Sequence, residues 1–523
     1  MGALTLKVFS NELREWELSE GEGIDPTDSF GVNLRLSIRE NQIFLAEPYD
    51  PSIPWLTDRG RLFFDGMFKQ NNSSSNWENI FEQIFESIYF LDHLNFQKNK
   101  ILPFIIAFEN LSIETLSMLY LLEQKCSILK LKKVENYKIN NDFEYLNQLN
   151  KSTQSFKLLM SKTGILLNTN SRYEGYVLNL NLRQRFLKGD FKLFVIGSSL
   201  DLTFPVKSIG SNLSIFKSIG EGTHLICQDL KKSNLPFLVL NTELLKRNDM
   251  KNFVKLLKNT NILTNIWNGV NVLQHNISSS GIFSLNNFLP ITSEDLTNFF
   301  GLYFINASLD SIANYKKLTE LQLINFQSFE QNNLNQKIFI NQNNKKHNRL
   351  MLEKLKSKTY FNYLYLPNNL FLEDSETYIN TEGRVKQLNK LINFRLDSKS
   401  NWQIVRRFYS NSKKIKFFKN KKDNNLICFK SSNLHNFKHY INFQFYSVQS
   451  LTSLSFYLNK LNKPLIKLFN NGLKNTKIKF LDTKLKPWLD DFFNNNGKDS
   501  FSYNSSVLIN CSKVLKLSST NFF

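Results

Sequence analysis

Short apolar runs bounded by polar turns recur along the chain: ILPFIIAF (101–108), GILLNTN (164–170), FKLFVIGS (191–198), LPFLVLNT (235–242), GLYFINA (301–307) and YLYLPNN (363–369). Stretches long enough for helices lie between them, such as IETLSMLYLLEQ from Ile113 to Gln124. Runs of this kind alternating with helices predict an α/β fold of mostly parallel sheets flanked by helices on both faces. The N-terminal part has a different period. GVNLRLSIRENQIFLAEP, Gly31 to Pro48, alternates apolar and polar residues around Glu40-Asn41-Gln42, which predicts a β-hairpin in a small β-rich lobe. Three regions follow from these patterns: the lobe at 1–70, the α/β region at 71–410, and a Lys/Asn/Phe-rich region at 411–523 with little motif content. The last is either a divergent domain or loosely packed sequence. LKPWLDDFF, Leu485 to Phe493, predicts a helical end piece there.

Composition narrows the function classes. At 523 residues with 41% hydrophobic content the chain is globular and should hold more than one domain. Its net charge of +21 suits nucleic acid, an anionic membrane surface or an acidic partner. Phe, Lys and Asn are also what an A/T-rich genome overproduces, and 47 Phe beside 19 Gly and 11 Pro fit that cause. The densest basic cluster, KNKKD at 419–423, reads as a solvated loop without a nucleic-acid motif, so no nucleic-acid partner is expected. The four cysteines, Cys126, Cys227, Cys428 and Cys511, never fall in C-x-x-C spacing, so no zinc or iron–sulfur centre is expected on this chain. No apolar run approaches the roughly 20 residues of a membrane helix, so no direct membrane insertion is expected. The N-terminus shows neither an h-region nor an Arg-rich amphipathic segment, which predicts either a protein made in the compartment where it works or one whose targeting is unreadable.

The most tightly spelled stretch is FLEDSETYINTEGRVKQ, Phe371 to Gln387. Gly383 allows a backbone turn that a Cβ would resist. Asn380 and Thr381 can bond neighbouring backbone groups, and Glu382 and Arg384 are available for charge-assisted hydrogen bonds. By itself this could be an ordinary surface turn. Its full spacing, E-x-x-x-T-x-x-N-x-E-G-R-x-x-Q, resembles the late signature of molybdopterin-type oxidoreductases, with Glu376 where many members have Gly. In working members this loop lies close to the pterin cofactor.

Other stretches resemble one branch of that group, the large iron–sulfur subunit of respiratory complex I. They are Gly2-Ala3-Leu4-Thr5, Arg14-Glu15-Trp16-Glu17, the set Ile24, Asp25, Asp28, Gly31 and Asn33, and Trp55-Leu56-Thr57-Asp58-Arg59 with Arg61, Phe64, Asp65 and Gly66. Leu167 to Arg183 resembles the G-T-N-P-R-x-E loop, keeping Asn170, Arg172, Glu174, Asn179 and Arg183, with Asn168 for Gly and Ser171 for Pro. IGSSLDLTF resembles I-G-S-x-x-D-L-T with Asp201 kept; LLKRND, Leu244 to Asp249, and NWQIVRRF, Asn401 to Phe408, fit further family segments.

The resemblance implies a molybdopterin-oxidoreductase-like fold standing next to a cluster-bearing N-terminal half. The chain opens where that half would end, so the iron–sulfur clusters are expected on a partner, and Trp16, Leu4, Leu6, Val8, Phe9 and Arg14 at the contact with it. Cofactor loops lacking their glycines imply relic sites at Asn170, Arg172, Asp201, Asn380, Glu382, Gly383 and Arg384, with no catalytic residue and no metal. His224 reads as structural, since no positioned nucleophile accompanies it. The expected role is a non-catalytic part of the complex I peripheral arm, beside other subunits of that arm, on the matrix side of the mitochondrial inner membrane and organelle-encoded. A free-standing molybdopterin-dependent oxidoreductase is the alternative, and a basic nucleic-acid-binding protein a third.

Overall fold

A computed structural model describes residues 9, 12–51, 53–68, 77, 103–125, 129–134, 157–198, 200–247, 249–257, 259–260, 262, 267, 269–285, 288–292, 295, 301–306, 337–342, 361–366, 368–393, 398–412, 480–487 and 500–520. Residues 2–8, KNKKD at 419–423, Cys126 and Cys428 lie outside them.

Strands β1 (Ser19–Ile24), β2 (Asn33–Arg39) and β3 (Gln42–Pro48) form an antiparallel sheet in that order. β2 and β3 are the expected hairpin. Its two loop residues, Glu40 and Asn41, take left-handed φ values of 50° and 64°, the twist that joins right-twisted strands with a two-residue loop. Leu34, Leu36 and Ile38 point inward while Arg35 is exposed, as the alternation requires. Helices α1 (Asp58–Arg61) and α2 (Phe63–Phe68) follow, with Thr57 Oγ1 accepting the Gly60 N–H at 3.1 Å as the α1 cap.

The α/β region holds two five-stranded parallel sheets, one nested inside the other in sequence. β4 (Phe104–Phe108), α3 (Ile113–Lys125) and β5 (Leu129–Lys133) begin the outer sheet. The chain then builds the whole inner sheet: α4 (Lys157–Met160), β6 (Thr163–Leu167), α5 (Ser171–Glu174), α6 (Tyr176–Leu187), β7 (Lys192–Ile196), β8 (Lys207–Gly210), α7 (Ile215–Gly220), α8 (Ile226–Lys232), β9 (Phe237–Asn241), α9 (Thr242–Leu245), α10 (Met250–Leu257) and β10 (Val270–Leu273). It returns through α11 (Ser279–Leu285) to β11 (Gly301–Ile305), β12 (Lys337–Gln342) and β13 (Phe361–Tyr365). The strand orders are β10-β9-β6-β7-β8 and β13-β12-β11-β4-β5. In both sheets the winding reverses beside the first strand, at β6/β9 and at β4/β11, and such reversal points are where ligands of open parallel sheets bind.

Strands β4, β6, β9 and β11 are buried at every residue, which explains their unbroken apolar runs. Neighbouring residues of β6 serve opposite faces. Leu166 packs with α6 and the N-terminal lobe, including Tyr176, Leu182, Leu34 and Phe63. Ile165 and Leu167 pack with Phe216 of α7, Leu230 of α8 and Phe253 of α10. The late stretch forms an antiparallel ribbon, β14 (Glu376–Ile379) and β15 (Val385–Leu388), before α12 (Asn401–Ser412).

The described parts of the last region dock back onto the body. α13 (Ser500–Asn504) and α14 (Ser506–Thr520) pack on α2, where Asp65 Oδ2 accepts from Ser505 Oγ at 2.7 Å and from the Val507 N–H at 3.3 Å. The helix expected from Leu485 does not start there. Residues 480–487 are non-helical, because Lys484 bridges Asn212 and the Leu485 N–H donates to Ser211 O at 2.8 Å instead of to its own chain segment; residues 488–493 lie outside the described set.

Candidate functional site

The late signature is built as a joint between three units. Asn380 closes its own turn: its N–H donates to Arg384 O at 2.9 Å, its O accepts the Gly383 N–H at 2.9 Å, and its Oδ1 accepts the Arg384 N–H at 2.8 Å. Gly383 sits at φ 77°, the turn conformation expected of it. Outward from the turn, Asn380 Nδ2 donates to Phe30 O at 2.9 Å, the Thr381 N–H to Ser29 O at 2.9 Å, and Lys386 Nζ to Asn33 Oδ1 at 2.9 Å, all in the N-terminal lobe. Thr381 Oγ1 lies 3.4 Å from both Val272 O and the Gln274 N–H at the carboxyl end of β10. On the other side the Thr377 N–H donates to the Glu114 carboxylate of α3 at 3.1 and 3.2 Å, and Thr377 Oγ1 donates to Glu114 Oε1. The ribbon therefore ties the N-terminal sheet, the inner sheet and the outer sheet together.

Charges in this joint are internal. Arg384 Nε lies 3.2 Å from Glu382 Oε2. Burial pushes the Glu382 carboxyl up, and Arg384, then Lys386, pull it back. Glu376 is buried, with Oε2 accepting from Tyr378 Oη at 2.7 Å. Burial, then Asp374 and Glu114, push its carboxyl up from its ordinary 4.5 to about 8. The folded chain thus holds a proton there that the unfolded chain releases above pH 4.5, so stability should fall as pH rises from about 4.5 towards about 8. Asp28, raised to about 7 by burial and then Asp25, adds the same sign between its ordinary 3.8 and about 7. Glu376→Gln should flatten the upper part of this slope in urea denaturation at pH 5, 6, 7 and 8. An unchanged slope would mean that Glu376 is ionised in the fold.

The second group lies at the ends of β6 and β7. Asn170 is buried before α5, its O accepting the Glu174 N–H at 2.9 Å. Arg172 pairs with Asp201 Oδ2 at 2.6 Å, and Asp201 Oδ1 accepts the Thr203 N–H at 3.0 Å. These two contacts, the Thr203 N–H first, hold the Asp201 carboxyl below its ordinary range. Asn179 accepts from Ser171 Oγ at 3.0 Å and donates to Leu202 O at 3.1 Å, while Arg183 reaches Thr203 Oγ1 at 3.5 Å. Glu174 Oε2 accepts from Asn241 Nδ2 at 2.6 Å, joining the ends of β6 and β9 across the reversal point. Asn170, Arg172 and Asp201 are thus brought together, whereas the turn that holds Asn380, Glu382, Gly383 and Arg384 meets the same sheet through Thr381 at β10, beyond β9. His224 takes a local role, its Nδ1 accepting the Ile226 N–H at 3.3 Å. Cys227 is buried and Cys511 exposed.

A family model described as molybdopterin oxidoreductase matches residues 103–411, more than half of the 523-residue chain. The chain belongs to the molybdopterin oxidoreductase family. The NADH-ubiquinone oxidoreductase 75 kDa subunit of Reclinomonas americana is 27% identical over 432 residues, which cover 78% of this chain and 59% of that protein. The mitochondrial 78 kDa subunit of Candida albicans NADH-ubiquinone oxidoreductase is 23% identical over 428 residues, 78% of this chain and 54% of that protein. One NADH-quinone oxidoreductase subunit of Rickettsia bellii is 25% identical over 309 residues, 54% of this chain and 43% of that protein. The chain spans about half the length of these curated relatives.

Members of the molybdopterin oxidoreductase family place a pterin dinucleotide against glycine-bearing loops at such strand ends, and two residues here do not fit one. Asn168 stands where the resembling family motif has glycine, takes a left-handed φ of 55°, and adds a buried side chain there. Glu376 likewise puts a buried carboxyl where many members have no side chain. Among the described residues no group of three or more His, Cys, Asp or Glu could hold a metal ion, and no helix is long and apolar enough to cross a membrane.

Residues that sequence reasoning did not single out carry much of this site. Glu114 is one acid in a helical stretch, and Ser29 and Phe30 contribute only backbone oxygens, which leave no mark on composition.

Proposed function

We propose that this chain is a structural part of the peripheral arm of an NADH:ubiquinone oxidoreductase, working without a cofactor of its own. The observation that carries the reading is the use of the late signature: Asn380 and Thr381, beside the cofactor in working enzymes, are spent on bonds to Ser29, Phe30 and Val272. The similarity to the 75 kDa and 78 kDa subunits and to the Rickettsia bellii protein supports the same reading. In it, the iron–sulfur clusters sit on a cluster-bearing part of the same subunit type, and this chain braces that part against other peripheral-arm subunits. It supports NADH-to-ubiquinone electron transfer and respiratory proton pumping without carrying electrons itself.

Trp16, 81% exposed on a single turn of 3-10 helix, is proposed as one contact with the cluster-bearing part. An indole has the apolar body and polar tip that interfaces favour. The proposed location is the matrix side of the mitochondrial inner membrane, with the gene in the organelle.

Metal and pterin analysis of the purified chain tests the cofactor part of this proposal. The expected result is no stoichiometric molybdenum, tungsten or pterin. About one pterin and one Mo or W per chain would establish the alternative, a working molybdopterin enzyme.

A further inference from the structure

Residues 480–487 run along the carboxyl edge of the inner sheet, far in sequence from anything they touch. One end is held near the loop after β9. The Leu481 N–H donates to Asp249 Oδ2 at 3.1 Å, and Arg247 donates to Thr483 Oγ1 at 2.8 Å and to Leu481 O at 3.5 Å. Arg247 is itself locked to Asp249 by two bonds of 2.9 and 2.7 Å. The other end is held by the loop after β8. There the Leu485 N–H donates to Ser211 O at 2.8 Å, Lys484 bridges Asn212, and Asn212 Nδ2 donates to Asp482 Oδ1 at 2.7 Å. Leu485 is buried in the core cluster of Ile196, Leu213 and Phe216. A Cβ on Gly197 would lie 3.6 Å from Asn168 Cα and 3.9 Å from Leu485 Cβ, so the segment reaches the loop at which β6 ends. From Leu481 to Leu485 an extended chain covers about 13 Å, close to three inter-strand spacings of about 4.8 Å, the separation of β9 from β8.

We propose that residues 480–487 are a built-in strap that stands where a ligand of the inner sheet would lie and keeps that edge shut. The strap satisfies Arg247 with a carbonyl and a hydroxyl, and it lays a leucine on the apolar floor formed by Ile196 and Leu213. Without it, the apolar floor would open to solvent at a strand-end crevice, rimmed by Arg247 still paired with Asp249, which is a slot for a flat, largely apolar ligand. The proposal rests on the cofactor-free reading above, but it fails separately from it.

The test is hydrogen–deuterium exchange on the full-length chain, with 1-anilinonaphthalene-8-sulfonate as a flat, largely apolar probe. In the parent, the amides of Leu481 and Leu485 should be protected and the dye should not bind this edge. Leu485→Asp places a carboxylate in the apolar cluster and should release the strap. Exchange should then rise at least tenfold in 480–487 and 211–213, stay unchanged in 237–241, and be accompanied by dye binding. If that variant unfolds, the double variant Asp482→Ala/Thr483→Val loosens the strap at its exposed contacts and should give the same pattern more weakly. Free exchange of 480–487 in the parent, or release without dye binding, would overturn the strap and leave the cofactor-free scaffold standing. Pterin recovered with the chain would overturn the scaffold reading whatever the strap does.

Discussion

Gly66→Ala is expected to lift the C-terminal helices off the N-terminal lobe. A Cβ at Gly66 would overlap the Phe501 carbonyl oxygen and lie 2.8 Å from its carbon and 3.2 Å from Phe501 Cα. All three are backbone atoms, so no side-chain rotation relieves the overlap. α13 must move, and with it go the Asp65–Ser505 bond of 2.7 Å and the edge-on contacts of Phe501 with Phe63 at 6.2 Å and Phe371 at 6.1 Å. Overpacking of this kind costs about 1–3 kcal/mol, and the lost capping of α14 by Asp65 adds about 1 kcal/mol. The expected readout is a lower urea midpoint together with fast exchange across 500–508. A variant as stable and as protected as the parent would show that these helices do not dock on α2.

Asn380→Ala should damage the chain at a distance from the substitution. It removes the acceptor of the half-buried Arg384 N–H and the donor to the buried Phe30 O. An unmet buried polar group costs about 1–3 kcal/mol and a half-buried one less, so the pair should cost roughly 2–5 kcal/mol. The N-terminal lobe should loosen first, since Asn380 and Thr381 are bonded to it directly. Arg384→Ala, which breaks one half-exposed ion pair with Glu382, should cost less, about 1–3 kcal/mol. Limited proteolysis with the N-terminal lobe as the reporter would follow both. If Asn380→Ala left stability and assembly untouched and abolished only a catalytic step, the loop would be a working site.

Much of the fold is legible in the sequence because burial leaves a local mark. β4, β6, β7, β9 and β11 stand where unbroken apolar runs predict strands, and the hairpin stands where alternation and Glu40-Asn41 predict it. Pairing leaves no such mark. β4 pairs with β11, setting Phe104 against Gly301, while the whole inner sheet lies between them in sequence. Every run looks alike, so a single α/β region in the sequence resolves into two nested sheets only in three dimensions.

The turn at Gly383 follows from residue chemistry, but its partners do not, because Ser29 and Phe30 offer backbone oxygens that any residue would supply. Asn168 is half legible: the sequence shows asparagine where the resembling motif has glycine, and the structure shows a left-handed turn there, which Asn is among the few residues to tolerate. The strap is illegible. Leu485 looks like the first residue of an amphipathic helix, and only the loop after β8 makes it a paired, extended residue.

The most direct measurement of the central claim is affinity purification of the tagged full-length chain from gently solubilised mitochondria, with every co-purifying protein identified and NADH:ubiquinone activity assayed. The account predicts that a cysteine-rich, cluster-bearing polypeptide and the other peripheral-arm subunits come with it in equal amounts, and that Trp16→Ala weakens recovery of the cluster-bearing part first. Recovery of the chain alone, or with ribosomes and nucleic acid, would contradict it.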